Sequence, residues 1–258
     1  MSSILFEIRD GIGCITLNRP EKFNAFNREM ALAMQSALDS CEEDAKIRAV
    51  YISGAGKAFC AGQDLGEVTG PDPMSFDKIL SEHYNPIIRK IRQLNKPVVC
   101  AVNGVAAGAG ANIALCCDIV VAKKSASFIQ AFSKIGLIPD SGGTFYLPRL
   151  IGFQKATALM MLGDKVSAAE AESMGMLYKC FDDDSFEKES YALAQTLATM
   201  PTIGLALTKK ALNASMQNNI MDQLQEEDRL QRKAADTADY REGVKAFIEK
   251  RSPIFKGE

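Results

Sequence analysis

The sequence predicts an α/β core followed by a helical tail, and three observations carry that reading. Runs rich in β-forming residues alternate with helix-spaced apolar residues through the first two thirds of the chain. Two glycine-containing loops, Lys57–Leu65 and Asn103–Gly110, each follow such a run. Beyond Phe153 the pattern is almost wholly helical.

Ile4 to Arg9 and Gly13 to Asn18 read as strands joined at Asp10-Gly11, a usual hairpin signal. A helix follows, capped by Asn27, with Met30, Met34 and Leu38 on one face. Arg48 to Ser53 reads as a strand running into a loop broken by Gly54, Gly56, Gly62 and Gly66. Pro97 to Cys117 carries no charge over a length that could span a bilayer. Asn103, Asn112 and the glycines at 104, 108 and 110 suit a lipid-facing helix poorly, so this segment reads as a buried strand, a turn and a buried helix starting near Gly108. Asp118 to Ala122 reads as the next strand. Helices are predicted over Ser167–Ser173, Ser185–Thr199, Pro201–Met216, Met221–Ala235 and Tyr240–Lys250, which divides the chain into a core of residues 1–195 and a helical subdomain of residues 196–258.

Composition narrows the function classes. With 258 residues, 47% of them hydrophobic, the chain can bury a sizeable core. A formal net charge of −2 offers no general attraction to nucleic acid or an acidic membrane. Seven cysteines in apolar segments lack metal-ligand spacing and point to a reducing compartment. The start, Met1 to Asp10, has no basic-then-apolar signal, and the end carries no peroxisomal tripeptide, so a cytoplasmic location is expected.

Chemistry-bearing residues concentrate in three places. Small residues at 60 to 62 let a ligand approach backbone N–H groups, and the loop after Asn103 leads into a helix whose first amides have no internal partner. Such amides favour a negative oxygen. The spacing of Gly104, Gly108 and Gly110 fails the dinucleotide fingerprint, and there is no Walker lysine. Tight turns at strand ends are the alternative reading of both loops. The third place is Lys134 to Thr144, where Asp140 follows Pro139 among apolar residues that would raise its proton affinity. The alternative there is a plain N-cap for the segment towards Tyr146.

Taken together with Leu17–Ala25 and Tyr240–Arg251, these motifs resemble the enoyl-CoA hydratase/isomerase (crotonase) superfamily over essentially the whole chain. The resemblance implies a spiral of ββα units with a C-terminal helical trimerisation region, trimers often pairing into hexamers. It also implies an oxyanion hole of two backbone N–H groups, those of Ala61 and Gly110, that holds a coenzyme A thioester carbonyl as it becomes an enolate. Hydratases of the family use two glutamates, whose matching positions here are Asn112 and Phe132, so hydration is expected to be weak. Asp140 matches the single aspartate of several family isomerases, which implies a proton taken from one carbon and returned to another.

Within the family, Gly136–Asp140, Asn103–Gly110 and Tyr84-Asn85-Pro86 are most similar to isomerases of ring-epoxidised phenylacetyl-CoA, with movement of 3-enoyl double bonds as a second activity. Phe128, Phe132 and Tyr146 are candidate ring walls, or ordinary core. The resemblance places Lys22, Phe23, Ala25, Gln63, Asp64, Leu65 and Gly108 along the coenzyme A path. It brings a neighbouring subunit's last helix to the adenine end, with Phe247 and Lys250 near the phosphates, a plain amphipathic surface helix being the alternative reading of these two, and it implies no metal or redox cofactor. Two rivals are a halobenzoyl-CoA dehalogenase, for which the only histidine, His83, falls two residues short of the matching Asn85, and a non-catalytic acyl-CoA-binding scaffold.

Overall fold

The computed structural model describes residues 2–71 and 73–258. In chain order the elements begin with β1 (Ile4–Arg9), β2 (Ile12–Leu17), α1 (Arg28–Glu43), β3 (Ala49–Gly54), β4 (Ala58–Cys60), α2 (Gly66–Thr69), α3 (Phe76–Lys78) and α4 (Asn85–Gln93). The middle holds β5 (Val98–Val102), β6 (Val105–Ala107), α5 (Ala109–Leu115), β7 (Ile119–Lys123), β8 (Ser127–Ile129), α6 (Gly143–Ile151) and α7 (Phe153–Leu162). It closes with β9 (Lys165–Ser167), α8 (Ala168–Ser173), β10 (Lys179–Phe181), α9 (Phe186–Thr199), α10 (Thr202–Ser215), α11 (Ile220–Ala235) and α12 (Ala238–Ile248).

A six-stranded sheet runs β1-β2-β3-β5-β7-β10, and a four-stranded sheet runs β4-β6-β8-β9. Among the described residues only the β1–β2 and β8–β9 pairs are antiparallel. The first of these closes on Asp10 and Gly11, both at positive φ, as a two-residue hairpin turn requires. From β3 onward each turn of the chain lays one strand in the large sheet and the next in the small sheet before a helix returns, as in β3–β4–α2, β5–β6–α5 and β7–β8–α6. This is the ββα spiral the resemblance implies.

Both faces of the large sheet are covered, which is why its central strands are apolar throughout. Val50, Ile52, Val98 and Cys100 face Phe26, Met30, Met34 and Leu38. Tyr51, Val99, Ala101 and Val121 face Phe186, Ala194 and Ala198 of α9. The Asn27 side chain caps α1 as expected, accepting from the Met30 amide.

The chain does not divide after residue 195, however. That position lies inside α9, whose apolar face is part of the core, and the chain leaves the core only after Thr199. The segment 97–117 resolves into β5, β6 and α5, and among the described residues no helix is long and apolar enough to cross a membrane.

Candidate active site

The loop after β4 is fixed against two neighbours. On one side lies the segment 23–26: the Ala61 amide donates to the Phe23 carbonyl at 3.0 Å, Phe26 N to Gly62 O at 2.7 Å, and Asp64 N to Phe26 O at 2.8 Å. Phe26 thus brackets Gln63 as in a parallel bridge, where the bracketed residue turns its own N–H the other way. On the other side lies the start of α5. A Cβ at Gly62, where φ is +92°, would stand 3.0 Å from Ala107 O and 3.5 Å from Ala109 N.

The expected pair of donors is therefore corrected at one member. The Ala61 N–H is already bonded to the Phe23 carbonyl. Among the described residues the Gln63 amide has no acceptor in the protein, and it faces the α5 side. Ala109 and Gly110 are the first residues of α5, ahead of the first ladder bond, Asn112 N to Gly108 O at 3.2 Å. Their amides are thus candidate partners for that of Gln63. Gly108 precedes them at φ +53°, ψ −127°, a conformation that glycine alone adopts readily, and a Cβ there would meet the Phe132 ring at 3.8 Å.

Asp140 is attached to the same helix. Asn112 Nδ2 donates to the Asp140 carbonyl oxygen at 2.9 Å, and Gln130 Nε2 donates to Asn112 Oδ1 at 2.8 Å. Asn112 lies three residues beyond Ala109, a rise of roughly 4.5 Å along the helix, so the Asp140 loop rests beside the amides that open α5. Asp140 does not cap a helix. α6 begins behind Gly142, and the half-buried carboxylate of Asp140 accepts from the Ser141 hydroxyl at 2.9 Å. Burial raises its proton affinity, opposed in part by Ser141 and by its own backbone amide.

The other expected positions separate into groups. Lys22, Phe23 and Leu65 are exposed on the adjoining loops, whereas Ala25 is buried beneath them. The Asp64 carboxylate turns inward to Arg19 Nη2 at 2.8 Å. Burial opposes its ionisation, yet Arg19, the Gly66 amide and the charge of Lys22 hold it below its ordinary value. It is a structural anion rather than a proton carrier. Phe128 and Phe132 are buried, and Tyr146 is half-buried. Phe247, 85% exposed, and Lys250 lie on and just after α12 and make no hydrogen bond to these loops within one chain. His83 is fully buried, with Nε2 3.5 Å from Arg28 Nη1. Gln130 and Ser141 carry no sequence signal, because single hydrogen bonds to a side-chain amide and to a carboxylate leave no spacing pattern.

Comparisons with known proteins agree with this architecture. A model of the enoyl-CoA hydratase/isomerase family matches residues 7–258. The 1,2-epoxyphenylacetyl-CoA isomerase of Escherichia coli K12 is 48% identical over 262 residues, covering 100% of both chains. A probable enoyl-CoA hydratase of Rhodobacter capsulatus is 44% identical over 255 residues, 99% of this chain and 98% of the relative. The crystal structure of a putative enoyl-CoA hydratase/isomerase from Mycobacterium abscessus superposes with a TM-score of 0.94 at 36% identity, covering 99% of this chain and 100% of that one. The chain is an enzyme of the enoyl-CoA hydratase/isomerase family.

Proposed function

We propose that the enzyme isomerises acyl-CoA thioesters by a single-carboxylate proton transfer, with 1,2-epoxyphenylacetyl-CoA as its main substrate and oxepin-CoA as product. The observation that carries this reading is Asp140 held on α5 by Asn112; the resemblance adds that Asn112 and Phe132 fill the positions of the two hydratase glutamates. Asp140 takes a proton from the carbon beside the thioester, and the electron pair moves onto the carbonyl oxygen, where the amides of Gln63 and of Ala109 or Gly110 receive it. Opening of the strained ring system extends the enolate, and Asp140 returns the proton to a ring carbon. No atom is gained or lost. The same steps move a 3-enoyl double bond to the trans-2 position.

The choice of ring substrate rests on likeness to the Escherichia coli isomerase and on the aromatic rings of Phe128, Phe132 and Tyr146. Coenzyme A runs along Lys22, Phe23, Ala25 and Leu65 towards Gln63 and Gly108 in this reading. The assembly is a homotrimer or a dimer of trimers. In support, Tyr240, Val244, Phe247 and Ile248 of α12 are exposed, and a cavity of about 700 Å³ lies between α10 and α11.

The test is a paired assay of wild type and Asp140→Asn with 1,2-epoxyphenylacetyl-CoA, a 3-enoyl-CoA and, for hydration, crotonyl-CoA. Both isomerisations should fall at least ~100-fold while thioester binding persists. Undiminished turnover by the variant, or hydration outpacing isomerisation in wild type, defeats the reading.

A further inference from the structure

The chain between α3 and α4 is wound more widely than an α-helix: Ile79–Tyr84 forms a π-helical segment, with Ile79, His83 and Tyr84 buried. Such winding is rare and re-aims the side chains that follow it. Here it buries Tyr84 to 1% exposure and points its hydroxyl at Gln63 Oε1, 2.9 Å away. The Gln63 side chain has further anchors. Its Nε2 donates to Glu67 Oε2 at 3.0 Å and to Asp64 O at 3.3 Å, and Glu67 Oε1 accepts from the Arg28 amide at 2.7 Å. The Tyr84 ring lies 6.0 Å from that of Phe26, whose backbone brackets Gln63.

Gln63 is therefore fastened through its side chain by Tyr84 and Glu67 and beside its backbone by Phe26. Its N–H is left free on the α5 side. A loop amide held in this way is preorganised, which is what a donor to a developing oxyanion needs. We infer that Tyr84 is a positioning residue: its hydroxyl, acting through the Gln63 side chain, fixes the direction of the Gln63 N–H in the oxyanion hole. Burial, with the negative neighbours Asp140, Glu67 and Asp64 and the Cys60 thiol, keeps the phenol protonated and so always a donor. The inference rests on the proposed role of the Gln63 amide in binding a thioester carbonyl.

Tyr84→Phe keeps the ring and removes only the hydroxyl. The C=O stretching frequency of a bound, 13C-labelled acyl-CoA reports carbonyl polarisation without requiring turnover, so it separates this inference from the assignment of Asp140. In wild type and in Asp140→Asn the bound carbonyl should be shifted to lower frequency than in water, and in Tyr84→Phe most of that shift should disappear. In turnover, kcat of Tyr84→Phe should fall about tenfold, within the ~100-fold that a misplacement of ~1 Å can cost. KM and the acidic limb of the pH profile should stay as in wild type. A Gln63→Met variant, which keeps the N–H and loses the anchor, should show the same loss, and adding Tyr84→Phe to it should change nothing more. A carbonyl shift and kcat like those of wild type in Tyr84→Phe, or in Gln63→Met should the first variant not fold, would overturn the inference. A plain packing role would lower the melting temperature and leave the carbonyl unmoved.

Discussion

Asn112 Nδ2 donates to the backbone carbonyl of Asp140 at 2.9 Å, so this side chain serves as a bracket for the candidate acid. The packing is close enough that a Cβ at Gly143 would collide with that nitrogen. Asn112→Ala should loosen the Asp140 loop, whose carbonyl keeps the Gly143 amide at 2.9 Å, and strand Gln130 Nε2. Each buried group left unpaired costs about 1–3 kcal/mol. Denaturant unfolding should register a loss in that range, and kcat should drop about tenfold. An unchanged kcat would show that Asp140 is held by other means.

Burial places the folded-state pKa of Asp140 above its ordinary value. An acid shifted in that direction binds more protons folded than unfolded between the two values, so its contribution to stability falls as pH rises through that window and stays a fixed penalty above it. Asp140→Asn removes the penalty. The variant should therefore gain stability over wild type as pH climbs from below ~3.9, the usual aspartate value, and melting curves across acidic pH test this. Activity runs the other way, since the ionised form is the base, and the acidic limb of kcat/KM should lie above the ordinary aspartate value. A limb at or below it contradicts the site's geometry.

Ser141 gives an independent handle on the same limb. Its hydroxyl donates to Asp140 Oδ1 at 2.9 Å and favours the ionised carboxylate. Ser141→Ala should move the acidic limb to higher pH while leaving thioester affinity in place. Movement to lower pH would refute the assigned hydrogen bond.

Gly62 lies between residues 23–26 and the start of α5, the two sides of the proposed oxyanion site. Gly62→Ala would force an L side chain into φ +92° and bring its Cβ to 3.0 Å from Ala107 O. Such strain costs of order 1–3 kcal/mol. We expect kcat/KM to fall more than tenfold, together with a broadened gap between residues 60–63 and the start of α5 in a crystal structure. Full activity would place the donors elsewhere.

Most of the large sheet was legible in the sequence because its central strands are apolar on both faces, as in Val98–Val102, and because Asp10-Gly11 and Asn27 carry unambiguous local signals, whereas its three-residue strand β10 was not. Nor was the small sheet. Strands β4, β6, β8 and β9 are three residues each, shorter than any period a sequence can display. The place of α9 in the core was hidden for another reason, since it reads as one more amphipathic helix until its face is seen on Tyr51 and Val99. At the site, Asp140 was visible from its apolar flanks. The exchange of Ala61 for Gln63 was not, because it turns on which way an N–H points after Gly62, and that depends on pairing with Phe26, distant in sequence.

The tie between the helical tail and the core runs through Lys209 of α10. Only 6% exposed, it places Nζ 2.7 Å from Asp118 Oδ2, 2.7 Å from Ile91 O and 3.3 Å from Lys96 O. Asp118 also receives Arg92 Nη1 at 3.1 Å and the Val98 amide at 2.9 Å. Breaking a buried pair at one partner usually costs about 3–5 kcal/mol because the other charge is stranded. Asp118 keeps Arg92, so Lys209→Met should sit at the low end, ~3 kcal/mol, whereas Lys210→Met on the exposed face should stay within ~0.5 kcal/mol of wild type. The active-site loops belong to other elements, so kcat of folded Lys209→Met should match that of wild type. Equal stabilities for the two lysine variants, read from urea midpoints, would mean that the Lys209–Asp118 pair adds no net hold on α10 beyond apolar packing and the Arg48–Thr202 and Arg92–Asn213 bonds.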